Sequence, residues 1–347
     1  MCSSDLAVLF RMPISSVSIK PAGDGVQLTF GTALERFPSV ANGRIAFASQ
    51  SENVDVWFVS GDTNSGGEFS RPVRLTSDLA EDEFPAFAWK AGKVYYLSSR
   101  AGDSSLHELE LGTQKTSAVA AAEGPKRRLL VTPDASRLVY STARTLWAVR
   151  PGQPAEQVYK EPEAAEWTIP WGLSSNGEYV LLGSRLRGEG KLELLDLGTG
   201  RVRKLLEGWT SQATFSPDGR HFVVLRQQAI SIFPVKDGPL DAGRDAIVVA
   251  KASAGQDLPR WSPDGKRIYF LSSRDGFRCV WMQRLNPATL RPEGDPQGAV
   301  HLHGSRVSLM HVPDIGAVGL SVGPQGIVYS AGEATGNIWL ATPQEER

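Results

Sequence analysis

The sequence has little cysteine and no excess of one charge: two Cys in 347 residues, Lys+Arg 37 against Asp+Glu 38, and a formal net charge of −1. The two thiols, Cys2 and Cys279, exclude a disulfide framework, and with one beside the terminus a single bridge is not expected either. Balanced charge removes the broad positive field that non-specific nucleic-acid binding needs, so nucleic acid is not an expected partner. Apolar runs that approach the ~20 residues of a membrane span are also missing, and no membrane contact is expected from this chain. Ahead of Arg11 lies an apolar stretch of only about five residues without a basic flank, too little for a signal peptide. Long Ala/Leu/Glu/Lys stretches with a 3.6-residue period are absent as well, which excludes helical repeats.

What is present is turn chemistry, 35 Gly and 22 Pro, placed at regular intervals. The clearest unit runs from Leu258 through Ser262-Pro263-Asp264-Gly265 and Ile268-Tyr269-Phe270-Leu271 to Arg274, Asp275-Gly276 and Val280-Trp281. It reads as a strand, a Pro-preset turn ending in Gly, a strand of β-branched and aromatic residues, a second turn and a third strand. Variants of this unit recur around Ile45, Val94, Leu138, Val180, Phe222 and Ile327, which with Ile268 makes seven copies at spacings of 49, 44, 42, 42, 46 and 59. That period fits a four-stranded propeller blade. The long interval is read as an insertion over Asn286–Gly304. The last copy stops after its third strand at Leu340 and so leaves an open edge. Val26-Gln27-Leu28-Thr29 is expected to fill it as a fourth strand.

Ser-Pro-Asp-Gly, a strand, Ser-x-Arg and an Ile/Val-Trp strand together resemble the Pro-Asp-containing WD-like repeat of TolB-type β-propellers. The resemblance covers about Val26 to Leu340. It implies an all-β, seven-bladed β-propeller of four-stranded antiparallel blades, closed by the N-terminal strand. Residues 1–25 would form a non-blade segment, residues 26–341 the propeller and residues 342–347 a tail. The family spans periplasmic scaffolds, sensor regions of bacterial signalling proteins and propellers attached to peptidases, so the resemblance implies a fold and leaves function to the site.

Gly319-Leu320-Ser321-Val322-Gly323 matches the nucleophile-elbow pattern, but no Asp or His follows Ser321, and the pattern falls in a strand. Ser321 is therefore not expected to be catalytic. His301, His303 and His311 lie in or beside the insertion. His-x-His on a strand would turn both imidazoles to one face, a metal candidate, while a solvated loop is the simpler reading. Entry loops to the first strands carry Glu35, Arg36, Asp82, Glu83, Lys126, Arg127, Glu166 and Asp257, with Trp167 beside Glu166 as the candidate aromatic anchor. Loops between second and third strands of the same face add Arg100, Asp103, Arg185, Arg274 and Asp275. Of these, Glu35, Arg36, Asp82, Glu83, Arg127, Glu166, Trp167 and Asp257 are the candidate partner-binding set. The recurring arginines are expected to pair with acids and lock adjacent blades, and Trp57, Trp147, Trp281 and Trp339 to pack between blades.

The expected function is a non-enzymatic binding, sensing or scaffold module without cofactor, monomeric, holding a protein or small-molecule ligand at the channel mouth. It would be the C-terminal part of a bacterial signalling or envelope protein, extracytoplasmic if joined to a membrane-linked segment and otherwise cytoplasmic. The competing expectation is a metal-dependent lyase or hydrolase with its site in the channel.

Overall fold

The computed structural model describes residues 8–16, 18, 20–30, 33–102, 104–163, 165–238, 240–251, 255–304, 306–312 and 314–342. β1 (Phe10–Arg11) and β2 (Val26–Gln27) form a two-stranded ribbon. β3 (Leu34–Ala41) and the long β4 (Arg44–Ser60) make a hairpin, and β5 (Val73–Arg74) pairs with the far end of β4. Five four-stranded antiparallel meanders follow. The first is β6 (Asp82–Ala88), β7 (Lys93–Ser98), β8 (Ser105–Glu110) and β9 (Lys115–Ala118); the second is β10 (Arg127–Val131), β11 (Leu138–Thr142), β12 (Thr145–Val149) and β13 (Glu156–Lys160). The third comprises β14 (Ala165–Leu173), β15 (Tyr179–Leu186), β16 (Glu189–Asp196) and β17 (Val202–Glu207). The fourth is β18 (Ser211–Phe215), β19 (His221–Arg226), β20 (Ala229–Pro234) and β21 (Ile247–Lys251), and the fifth β22 (Gln256–Trp261), β23 (Arg267–Ser272), β24 (Cys279–Leu285) and β25 (Pro292–Val300). β26 (Val307–Ser308), β27 (Ser321–Gly323) and β28 (Gly326–Ala341) come last; one sheet orders β26-β28-β4-β3, with β27 also on β28 and β5 on β4.

The all-β propeller of seven sheets is thus present, but two of the sheets differ from the expected four-stranded blade. The first and seventh copies share the composite sheet through β4 and β28, and the seventh sheet is the β1–β2 ribbon. The strand beside β28 is the early strand β4 rather than the expected residues 26–29, of which Val26 pairs with Arg11 and Gln27 with Phe10. The supposed insertion is corrected too, since Pro292–Val300 is the ordinary outer strand of its sheet.

The chain resolves into two compact units, Val54–Gly332 and Met1–Asn53 with Glu333–Arg347, whose boundaries fall inside β4 and β28. In the larger unit the first strands pack in a closed cycle, β6, β10, β14, β18, β22, β27 and back to β6, around a central channel. Its core lies between sheets. Tyr95, Leu97 and Leu106 meet Leu138, Tyr140 and Val149, while Val223 and Ile232 meet Ile268 and Phe270. Covered on both faces, the second strands read as continuous apolar runs, and Ile268, Tyr269, Phe270 and Leu271 are all fully buried. Each such side chain contributes about 1.5–3 kcal/mol through burial.

The turns that start these strands have a repeated mechanism. Ser216 Oγ accepts the His221 N–H at 2.9 Å and donates to Asp218 at 2.6 Å, and Gly219 takes φ +70°. Ser262, Asp264 and Gly265 repeat this with Arg267 at 3.0 Å, and Ser174 and Thr132 hold the same place before Tyr179 and Arg137. In the smaller unit, by contrast, Phe37, Val40, Ile338 and Trp339 are exposed. Trp339 therefore departs from Trp57, Trp147 and Trp281, which pack against apolar clusters of the larger unit.

Candidate functional site

Every meander in the larger unit enters its first strand through a β-bulge, and in four of the five a side-chain-bearing residue adopts a left-handed backbone there: Phe84 (φ 53°), Arg128 (55°), Gln212 (57°) and Leu258 (49°). A non-glycine residue held this way costs on the order of 1 kcal/mol or more and persists only where its surroundings fix it. A bulge re-aims the side chains of its strand, and Phe84, Arg128 and Leu258 line the cavity inside the ring. Gln212 is held by two such contacts, accepting the Leu258 N–H at 2.6 Å and donating to Asp257 at 3.1 Å.

Inside the ring a cavity of about 160 Å³ is lined by Phe84, Arg128, Trp171, Arg260, Leu320 and Ser321, among others. Arg128 lies over Phe84 and Trp171, its guanidinium carbon 5.2 and 5.3 Å from the ring centroids. Its Nη2 meets the Asp314 carboxylate at 3.0 Å, and its buried Nη1 has no hydrogen-bond partner among the described residues. Gly316 makes this possible, for a Cβ there would fall on the guanidinium. Arg260 donates through Nε to the Leu320 carbonyl at 2.6 Å and through Nη1 to that of Pro259 at 3.0 Å. Among the described residues it forms no ion pair. Burial, with the Arg128 charge adding to it, lowers the Arg260 guanidinium to about 10. Burial likewise lowers Arg128, which Asp314 partly restores. Ser321 starts strand β27 and its Oγ accepts the Phe87 N–H at 3.0 Å, so no strand-to-helix elbow exists there.

The expected rim residues are dispersed. Glu83 and Arg127 share a groove of about 260 Å³ with Lys126 and Asp314. Burial raises the Glu83 carboxyl to about 7, with Glu81 and Asp314 adding to the shift. Asp82 is fully buried, 3.5 Å from Arg100, which also meets Asp78 at 2.5 Å. Glu166 pairs with Arg185 at 3.2 Å and accepts the Gly188 N–H, while Trp167 packs edge-on against Trp209. Burial raises Asp257, against the hydrogen bond from Gln212. Glu35 is buried and Arg36 exposed, 4.0 Å from Glu52, in the smaller unit. Asp103 lies outside the described residues, as does Cys2. The recurring arginines do not lock neighbouring sheets as expected: Arg100 meets Asp82 and Arg185 meets Glu166 within one sheet, and Arg274 lies over Phe270 and Trp281.

His301 and His303 follow β25 rather than lying on a strand, and they converge with Asp275 and Cys279, two residues outside the expected metal set. His311 stands apart in a 3-10 turn, its Nδ1 3.3 Å from the Gly332 carbonyl oxygen. Burial pushes the Cys279 thiol up to about 11.

Arg128 and Arg260 were also absent from the expected site, yet both break the repeat. Ten residues before the seven-copy markers Val94, Leu138, Val180, Phe222 and Ile268 stand Phe84, Arg128, Pro170, Gln212 and Leu258; eight before stand Ala86, Leu130, Gly172, Thr214 and Arg260. Within these five copies one arginine interrupts each otherwise uncharged column, while ten before Ile45 in the first copy stands Glu35.

No family model matches the sequence. An uncharacterised protein of Agrobacterium fabrum is 25% identical over 164 residues, 46% of this chain and 55% of that one, so the chain spans about half the length of this curated relative. Among solved structures, a TolB candidate from Agrobacterium tumefaciens superposes with TM-score 0.59 at 15% identity, over 82% of this chain and 99% of that one. TolB from Acinetobacter baumannii gives 0.53 at 14% over 66% and 60%. An oligogalacturonate lyase in complex with manganese gives 0.54 at 15% over 82% and 97%. The fold is that of a TolB-like β-propeller.

Proposed function

We propose that the chain is a binding propeller that takes a carboxylate-bearing ligand into its channel, where Arg128 and Arg260 hold the carboxylate. The observation that carries this reading is the buried, unpartnered Nη1 of Arg128 in the same small cavity as Arg260, which has only backbone partners among the described residues. Two guanidiniums drawn out of water repel one another, and an entering anion relieves both the repulsion and the unmet donor. Guanidinium and carboxylate match through parallel N–H···O bonds, which favours a carboxylate over a neutral ligand. About 160 Å³ admits an end group rather than a whole large ligand, so the rest would extend into the groove beside Glu83 and Arg127. A sensing or scaffold role follows if that ligand is a signal molecule or a partner's acidic tip.

Calorimetric titration with succinate, digalacturonate and a short peptide ending in Asp tests this and separates a small acid from a protein partner. Binding of at least one is expected, weakened roughly 10- to 100-fold by Arg128→Gln or Arg260→Gln. If none binds, or if both variants bind as the parent does, the reading fails.

The second reading, a metal-dependent lyase or hydrolase acting in the channel, draws support from the oligogalacturonate lyases of similar fold, one in complex with manganese. The described lining residues offer no imidazole, thiol or carboxylate to such an ion, so the binding reading is preferred. Release of unsaturated product from oligogalacturonate in the presence of Mn²⁺, lost in Arg260→Gln, would reverse that preference.

A further inference from the structure

We propose that Asp275, Cys279, His301 and His303 form a divalent transition-metal site of the zinc class, at the outer end of the fifth meander and outside the channel cavity. Strand pairing puts the four residues together. Val280 pairs with Val300, so the chain leaving β25 as His301-Leu302-His303 passes alongside Cys279 and the turn that carries Asp275. One atom, Asp275 Oδ2, lies 3.3 Å from His301 Nδ1 and 3.0 Å from His303 Nε2. Across the cluster, the Leu302 N–H donates to Cys279 Sγ at 3.3 Å. One donor atom from each of the four residues lies within 4.8 Å of all the others.

A tetrahedral zinc sphere has bonds of about 2.0–2.3 Å, which puts its donors about 3.3–3.8 Å apart. The cluster reaches that sphere if its longest separation closes by about 1 Å. Two imidazoles, a thiolate and a carboxylate are a borderline donor set, wrong for Ca²⁺ or Mg²⁺, which take oxygen, and right for Zn²⁺. The rings are already oriented. Phe277 stacks on His303 with centroids 4.6 Å apart, Trp281 meets His301 edge-on, and Gly298 leaves room that a Cβ would deny to the His301 ring. Cys279 is fully buried, whereas the imidazoles are about half exposed, so an ion can enter from solvent and be anchored from within. With four protein donors the site is closed and acts as a clip, tying the β23–β24 turn to the segment that leaves β25.

The test uses the full chain, stripped with a chelator and titrated with Co²⁺. One ion per chain is expected, with the ligand-field bands of tetrahedral Co²⁺ and a thiolate-to-cobalt charge-transfer band. Zn²⁺ should displace the Co²⁺ and raise the thermal midpoint. Cys279→Ser should abolish the charge-transfer band. Because Cys279 is buried, the more exposed His303→Ala and Asp275→Asn carry the affinity test, each weakening binding by at least about 100-fold, beyond the loss typical of an outer partner. His311→Ala should bind as the parent does. Absence of stoichiometric Co²⁺ binding overturns the proposal, and so does undiminished binding in His303→Ala and Asp275→Asn with native β-sheet circular dichroism. Asp275 would then be a hydrogen-bond hub for two imidazoles and nothing more.

Discussion

Glu83 stores electrostatic work in the groove it shares with Arg127 and Asp314. Its carboxyl rises from 4.5 to about 7 because burial disfavours the anion, and Glu81 and Asp314 oppose it further. Between those values the folded chain binds a proton that the unfolded chain has released, so this residue's contribution to stability is complete below pH 4.5 and is lost as pH rises through 7. Glu83→Gln removes the loss. Its advantage over the parent in urea unfolding should be near zero at pH 4 and on the order of 2–3 kcal/mol at pH 8. A parallel pH dependence of the two proteins would show that Glu83 is not so placed. Gly316 tests the neighbouring arginine. Its backbone accepts alanine, but the new Cβ would occupy the guanidinium position of Arg128. Gly316→Ala should therefore fold and lose carboxylate binding as completely as Arg128→Gln, measured by the same titration. Recurrence marks structural devices, and neither arginine belongs to one, since both interrupt the repeat. Within the five meanders the signal stands in the sequence at the columns where Phe, Pro, Gln and Leu, or Ala, Leu, Gly and Thr, give way to Arg. Asp275 and Cys279 carried no such signal, since their meeting with His301 and His303 is set by strand pairing alone.

At the scale of the element, the turns were legible because their chemistry is local. Ser262 both accepts the Arg267 N–H and donates to Asp264, so Ser262→Ala should cost about 1–2 kcal/mol in chemical denaturation without changing the fold. A cost under a few tenths would mean that Pro263 and Gly265 set the turn unaided. Hairpin length, also local, separates the copies into two kinds. Phe87 pairs with Val94, Val131 with Leu138, Leu173 with Val180, Phe215 with Phe222 and Trp261 with Ile268, each seven residues on. Val40 with Ile45 and Val322 with Ile327 are five apart, and these two copies share a sheet. Asn42 and Gly43, both at positive φ, make the shorter turn. The left-handed entry bulges had no such mark. Phe, Arg, Gln and Leu are not residues that announce positive φ, and the tertiary packing of the ring imposes it.

For the larger unit as a whole, the decisive feature is the seam, where the two ends of its chain meet in one sheet. Gly61 donates to the Gln325 carbonyl at 3.0 Å, and Thr63 Oγ1 donates to that of Gly323 at 2.8 Å across 260 positions of sequence. Gly326 lies so close to Val59 that a Cβ would collide with its carbonyl oxygen. The five meanders pair neighbours in sequence, whereas the seam must close the longest loop in the unit, and loop-closure entropy delays it. Contacts formed late stabilise the native ring against opening without speeding its formation. Val59 and Val223 are both fully buried, the first at the seam and the second inside the fourth meander. Each Val→Ala change should cost about 1.5–3 kcal/mol at equilibrium. Their kinetics should differ. Val59→Ala is expected to accelerate unfolding in denaturant by about tenfold or more with little change in refolding, and Val223→Ala to slow refolding. Equal partition of the two effects would place the seam among the early contacts and make closure the start of folding rather than its completion.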